Sequence, residues 1–170
     1  MPARAEQAAR VERAVSPGRA RRGPQGAGEW GAATSVVCGT ITTCPVANGG
    51  KCCYSAMDQS STCQGAAATC DPVPSGAGTY YVKTTITCDS SADCSGGEIC
   101  CYTQMYITSA AVCMAASSCI DIPPPTGGYA TTRRQVCDPA MVAPSECLSG
   151  SCKPAPTLSQ SLPPYLSLCL

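Results

Sequence analysis

The stretch CDSSADCSGGEICC, residues 88–101, decides how this chain is built. It closes on Cys100-Cys101, and successive Cα atoms lie about 3.8 Å apart, below the ~4.4 Å that a disulfide usually needs. The two cysteines therefore reach different partners. If the pair lies on an extended strand, its sulfurs point to opposite faces, and one dipeptide is stapled to the chain on both sides. Cys52-Cys53 offers the same device earlier in the sequence.

Working outward, the cysteines fall into blocks. Cys38, Cys44, Cys52-Cys53, Cys63 and Cys70 are separated by five, seven, zero, nine and six residues. Cys88, Cys94, Cys100-Cys101, Cys113 and Cys119 are separated by five, five, zero, eleven and five. Each block is followed by seventeen residues, 71–87 and 120–136, that open with Pro and Gly and end in a Tyr- and Thr-rich run leading into a cysteine. Such a segment reads as a stiff turn and then a strand that starts the next block. A third, partial block holds Cys137, Cys147 and Cys152, with Cys169 in the tail; the partners of these four are left open.

The fold class expected is small and disulfide-rich: tandem cysteine-rich repeats of about 50 residues built from short β-hairpins and loops, with little helix. The expected division is 1–37, an Arg/Ala-rich N-terminal segment, disordered or a non-native start; 38–70, repeat one; 71–87, linker and strand; 88–119, repeat two; 120–136, linker and strand; 137–152, a partial repeat; and 153–170, a tail packed loosely if at all. Within the blocks, Lys51 to Ala56 is expected to pair with Ser61 to Gly65. Glu98 to Met105 is expected to pair with Tyr106 to Met114, setting Cys101 opposite Cys113. Helix stays open for Ala3 to Val15, Gln64 to Thr69 and Ala110 to Ser118.

Composition explains why sulfur is needed. There are 16 cysteines in 170 residues and no Phe, above the level of roughly 8% that marks a disulfide scaffold. Blocks of this size fall under the ~40 residues below which covalent or metal help is usual. Charge is uneven: residues 1–30 hold six Arg against three Glu, leaving five basic and eight acidic residues in 31–170. That balance gives the cysteine-rich part no broad basic footprint for nucleic acid, and no segment is long enough in apolar residues to span a membrane. Arg133-Arg134 read as solvated strand positions.

Three chemistries compete for a cysteine array. Structural zinc favours C-x2-C pairs or His ligands, and a redox dithiol favours C-x-x-C; the chain has neither motif and no His. No metal or cofactor is expected. Disulfides remain, and they belong to oxidising compartments, so a secreted or cell-envelope location is expected, although residues 1–30 hold no apolar run like that of a secretory signal. With no His base, no nucleophile elbow and no phosphate loop, an enzyme is not expected. Asp89, Asp93 and Glu98 read as turn-capping groups.

Cys88-x5-Cys94-x5-Cys100-Cys101, with Asp93 before the second cysteine and Gly96 two after it, resembles the central part of a whey acidic protein, or four-disulfide core, domain. Cys38-x5-Cys44, Pro45 and Lys51-Cys52-Cys53 resemble it less closely, with two extra residues in the second gap. The resemblance implies Cys38 with Cys52, Cys44 with Cys70, Cys53 with Cys63, Cys88 with Cys100, Cys94 with Cys119 and Cys101 with Cys113. An inhibitor cystine knot, whose cysteine order both blocks also satisfy, implies first with fourth, second with fifth and third with sixth. Six cysteines allow 15 pairings. Either family suggests protease inhibition through a loop held rigid by flanking disulfides, with Gly39 to Thr43 and Asp89 to Asp93 as candidates. The expectation that rests on the residues alone is a non-enzymatic structural or recognition module whose partner is a protein or a surface or matrix ligand. Tyr102, Met105 and Tyr106 are its candidate contact residues.

Overall fold

The computed structural model describes residues 35–39, 42–76, 79–139, 147–154 and 162–170. The expectations for residues 1–34 lie outside these. Extended backbone forms where Thr, Val, Tyr and Cys run between turns, giving β1 (Ser35–Val37), β2 (Thr43–Pro45), β3 (Lys51–Ser55), β4 (Ser61–Gln64), β5 (Val73–Gly76) and β6 (Thr79–Tyr81). After them come β7 (Lys83–Ile86), β8 (Ile99–Met105), β9 (Thr108–Met114), β10 (Thr131–Cys137), β11 (Cys152–Pro154) and β12 (Ser167–Cys169). Among the described residues, helix is limited to two single 3-10 turns, Ser91–Asp93 and Ala116–Ser118. The chain is small, strand-rich and disulfide-rich, with almost no helix.

Eight strands form one sheet in the order β11-β12-β10-β8-β9-β7-β3-β4, and β1-β2 and β5-β6 stand as separate pairs. Strand β7 lies antiparallel to β3 and parallel to β9, so the Thr-rich run before Cys88 belongs to two hairpins at once. Strand β10 likewise joins two strand pairs, lying antiparallel to both β8 and β12. The β8-β9 hairpin turns through Tyr106 and Ile107, with Tyr106 at φ 52°, the left-handed backbone that matches the twist of tightly connected strands.

All sixteen cysteines are paired. The first block forms Cys38–Cys52, Cys44–Cys63 and Cys53–Cys70, and the second forms Cys88–Cys100, Cys94–Cys113 and Cys101–Cys119. Each joins first with third, second with fifth and fourth with sixth. Cys38–Cys52 and Cys88–Cys100 are as implied by the resemblance; Cys44–Cys70, Cys53–Cys63, Cys94–Cys119 and Cys101–Cys113 are not formed. The reason is register. Cys52 lies opposite Cys63 and Cys100 opposite Cys113, one residue away from the expected Cys101–Cys113 alignment. A one-residue shift moves a side chain to the other face of a sheet. Cys113 thus shares a face with Cys100 and reaches Cys94, while Cys101, on the reverse face, takes Cys119.

The last four cysteines form Cys137–Cys152 and Cys147–Cys169. Cys152 lies opposite Cys169 in β11-β12, just as Cys52 lies opposite Cys63. Two of the three bridges of a full block are therefore present in the same order, and the fourth-to-sixth bridge is missing.

One face of the sheet is the core. Cys52 and Tyr54 on β3, Ile86 on β7, Ala111 on β9, Cys100 and Tyr102 on β8 and Val136 on β10 pack in one cluster with Val36, Leu162, Leu166 and Leu168. Two expectations are corrected here. Residues 35–37 are not part of a disordered leader, because Val36 is buried on this face and the Val37 N–H donates to the Asp89 carboxylate at 2.7 Å. Nor is the tail loosely packed. Leu162, Leu166 and Leu168 are buried, and Tyr165 meets Tyr54 edge-on and shares a 3.0 Å hydrogen bond with the Ser61 hydroxyl. The end of the chain is closed by Gly150 at φ 80°, where any Cβ would stand 2.2 Å from the Leu170 carbonyl oxygen.

Candidate functional site

The reverse face of the sheet is open. A cross-strand row runs Thr85, Ala110, Thr103, Arg133, and the next row runs Lys83, Thr108, Met105, Thr131. These residues floor a groove of about 680 Å³. Thr69, Cys70, Asp71 and Pro72 line it on one side and Ile122 on the other.

Both flanking segments are held by the same device. The Cys53–Cys70 bridge draws the first segment onto the face, and Lys51 Nζ donates to the carbonyl oxygens of Ala68 at 2.8 Å and Ala66 at 3.3 Å. The Cys101–Cys119 bridge draws in the second, and Arg133 Nη1 donates to the Ser118 carbonyl oxygen at 2.5 Å. One disulfide and one basic side chain, each reaching carbonyls just before the sixth cysteine, thus position each wall. Asp121 completes the second attachment by accepting from the Arg133 N–H and from the Arg134 guanidinium. That guanidinium, helped by the Arg133 N–H, holds the Asp121 carboxyl below its ordinary range.

The three expected contact residues separate. Tyr102 is 2% exposed, and its hydroxyl donates to Gln104 at 3.0 Å, so it is a core residue and not a contact residue. It lies opposite Ala111, on the same face as Cys100 and Cys52. Met105 lines the groove and is half exposed. Tyr106 is exposed at the hairpin tip, where its ring stacks on that of Tyr129 with centroids 4.2 Å apart.

Sequence reading missed Lys51, Lys83, Thr85, Thr103 and Arg133 as groove residues. Strand alternation could have grouped those of each strand; their neighbours across the sheet depend on the parallel β7-β9 pairing, which no local pattern announces.

The acidic residues of Asp89 to Asp93 are committed to backbone. The Asp93 carboxylate accepts from the N–H groups of Asp89 at 2.8 Å and Ser90 at 3.1 Å. Asp89, Ser90 and Asp93 are buried, so this segment is a folded turn and not an extended, exposed loop. Gly39 to Thr43, the other candidate inhibitory loop, lies partly outside the described residues. Three sulfur groups, Cys38/Cys44/Cys52, Cys88/Cys94/Cys113 and Cys137/Cys147/Cys169, each gather within 4.8 Å. All are disulfide sulfurs, which lack the thiolate charge that binds zinc.

No family model matches the chain, and neither a curated protein nor a solved structure does. The site has to be read from its own chemistry. Eight disulfides point to an oxidising, extracellular type of environment. Among the described residues no helix is long and apolar enough to cross a membrane.

Proposed function

We propose that this chain is a secreted or cell-envelope recognition protein, non-enzymatic, made of tandem copies of one disulfide-stapled module. The observation that carries the reading is the groove between two disulfide-tethered walls. A fourth-to-sixth bridge adds nothing to the apolar cluster on the core face; it fixes a loop above the opposite face. Rigid walls reduce the ordering cost of binding, since the protein side is already in place. The common bridge order of the first two blocks, and its partial retention in the third, supports descent from one unit. The engagement of Asp89 and Asp93 with backbone N–H groups supports a structural role for these acids in place of a catalytic one.

The test is shift mapping by NMR on the oxidised full chain against a panel of neutral and acidic oligosaccharides and peptides. Binding that perturbs amides of β7 to β10 around Thr85, Thr103 and Ala110, and that is lost in Ala110→Trp, supports the groove. Perturbation elsewhere, or none with any member, replaces recognition with a purely structural role.

A further inference from the structure

The groove concentrates most of the positive charge that the cysteine-rich part of the chain carries. From residue 31 onward there are five basic and eight acidic residues, and Lys51, Lys83 and Arg133, three of those five, line this one groove. Asp71 is the single acid among the lining residues. Lys51 and Arg133 donate to carbonyl oxygens, which are neutral, so their charges are not cancelled, and each keeps further N–H donors. The Lys83 side chain has no ion-pair or hydrogen-bond partner among the described residues. A locally positive groove on a mildly acidic module is the signature of a site for a negatively charged ligand.

The floor between those charges is hydroxylic. Thr85, Thr108 and Thr131 stand among Lys83 and Arg133, whose Cα atoms are three strands and two residues apart, about 16 Å by ordinary sheet spacing; the Thr103 hydroxyl is buried beneath them. The groove runs over a sheet face, where every strand is already paired on both sides, so it offers no free backbone ladder to an extended peptide. At one end, next in sequence to Met105 and two residues before Thr131, sits the exposed Tyr106–Tyr129 stack, a flat amphipathic platform. Spaced cations, a hydroxyl-rich floor and an aromatic platform together suit a polymer of ring-shaped, hydroxylated, acidic units.

We propose that the groove binds an acidic polysaccharide of the uronate class, its carboxylates lying toward Lys83 and the Lys51 and Arg133 charges and a sugar face lying on the Tyr106–Tyr129 stack. This rests on the reading of the groove as the binding surface and names the ligand that reading leaves open. Association weakens as ionic strength rises, because the charges are only partly buried.

The experiment uses the oxidised full chain, eight bridges verified by intact mass, and oligogalacturonate as probe, with its fully methyl-esterified neutral form, polyglutamate and anionic phospholipid vesicles alongside. The expected result is saturable binding of the acidic oligosaccharide with amide shifts in β7 to β10. Lys83→Glu is expected to weaken it about tenfold while leaving the thermal unfolding midpoint in place, since the Lys83 side chain makes no internal bond among the described residues. Tyr129→Ala is a second variant, read by loss of affinity with unchanged salt dependence. Failure of oligogalacturonate to bind, or binding unaffected by Lys83→Glu, overturns the proposal. Equal binding of the methyl ester at the same residues overturns the acidic class yet leaves the groove as a recognition surface. Stronger binding of polyglutamate or vesicles at those residues replaces the glycan with an acidic protein or a lipid surface. Shifts confined to residues off the groove overturn both this proposal and the reading beneath it.

Discussion

The two faces of the central sheet are made from the same strands and treated in opposite ways. On the core face Tyr54, Ile86, Tyr102 and Val136 are covered by β1, the Cys88 to Cys94 turn and the C-terminal tail. On the groove face Lys83, Thr85 and Thr108 line an open groove bordered by two sulfur-anchored segments. Each double cysteine sends its first member to the core face and its second to the groove face. What differs between the faces is the purpose of the bond: one bridge replaces buried hydrocarbon, and the other holds a wall where no hydrocarbon is buried.

Changes at neighbouring positions on β8 should separate these roles most clearly. Tyr102→Ala removes a buried aromatic ring and its hydrogen bond to Gln104, with an expected loss of about 3–5 kcal/mol in denaturant unfolding of the oxidised protein. A loss under about 1 kcal/mol would show that this face is not the core. Removing the Cys53–Cys70 bridge by paired substitution to Ala is expected to cost about 2–4 kcal/mol, mostly through the unfolded chain. It should raise hydrogen exchange in residues 66–72 while the amides of β3 and β7 stay protected; equal loss of protection in β7 would contradict a wall-only role. At Thr103 the sign reverses. Its hydroxyl is buried with no hydrogen-bond partner, so Thr103→Val is expected to be neutral or to add up to about 1 kcal/mol. Measurable destabilisation there would reveal a bond absent from the described geometry.

The smallest effect concerns pH. Burial, chiefly, raises the Tyr165 hydroxyl above its ordinary 10.0, and burial followed by the nearby Tyr165 raises Tyr54. A group whose folded value exceeds its unfolded one contributes stability that is whole below the unfolded value and is lost as pH climbs through the folded one. Thermal midpoints should therefore decline above about pH 10. Tyr165→Phe, less stable at neutral pH for want of the Ser61 hydrogen bond, should show a shallower decline. Parallel declines would mean that Tyr165 does not stay protonated in the folded chain.

Much of this arrangement is legible in the residues. The double cysteines announce a two-sided staple, because adjacent side chains on a strand diverge, and the runs before Cys88 and Cys137 announce β7 and β10. The order of the bridges was out of reach. It turns on whether Cys100 or Cys101 lies opposite Cys113, and a one-residue register choice leaves almost no trace in a short hairpin whose turn, Tyr106-Ile107, lacks the usual Asn-Gly signal. The packing of the tail is illegible for a different reason. Leu162, Leu166 and Leu168 look like a frayed end interrupted by Pro163-Pro164, and their partner surface lies about a hundred residues earlier, where no periodicity can point. The groove charges leave no sequence signal, because Lys51, Lys83 and Arg133 are isolated in sequence and become neighbours only through the sheet.

Strand β7 carries a final consequence. Every bridge closes within its own block, so none of the eight ties the Cys38–Cys70 segment to the Cys88–Cys119 segment. A single peptide cleavage between Cys70 and Lys83 would leave two pieces joined by hydrogen bonds and oily contact alone, still assembled in plain buffer, yet separable by urea without any reducing agent. Covalent toughness here is local; cohesion along the length of the molecule is reversible.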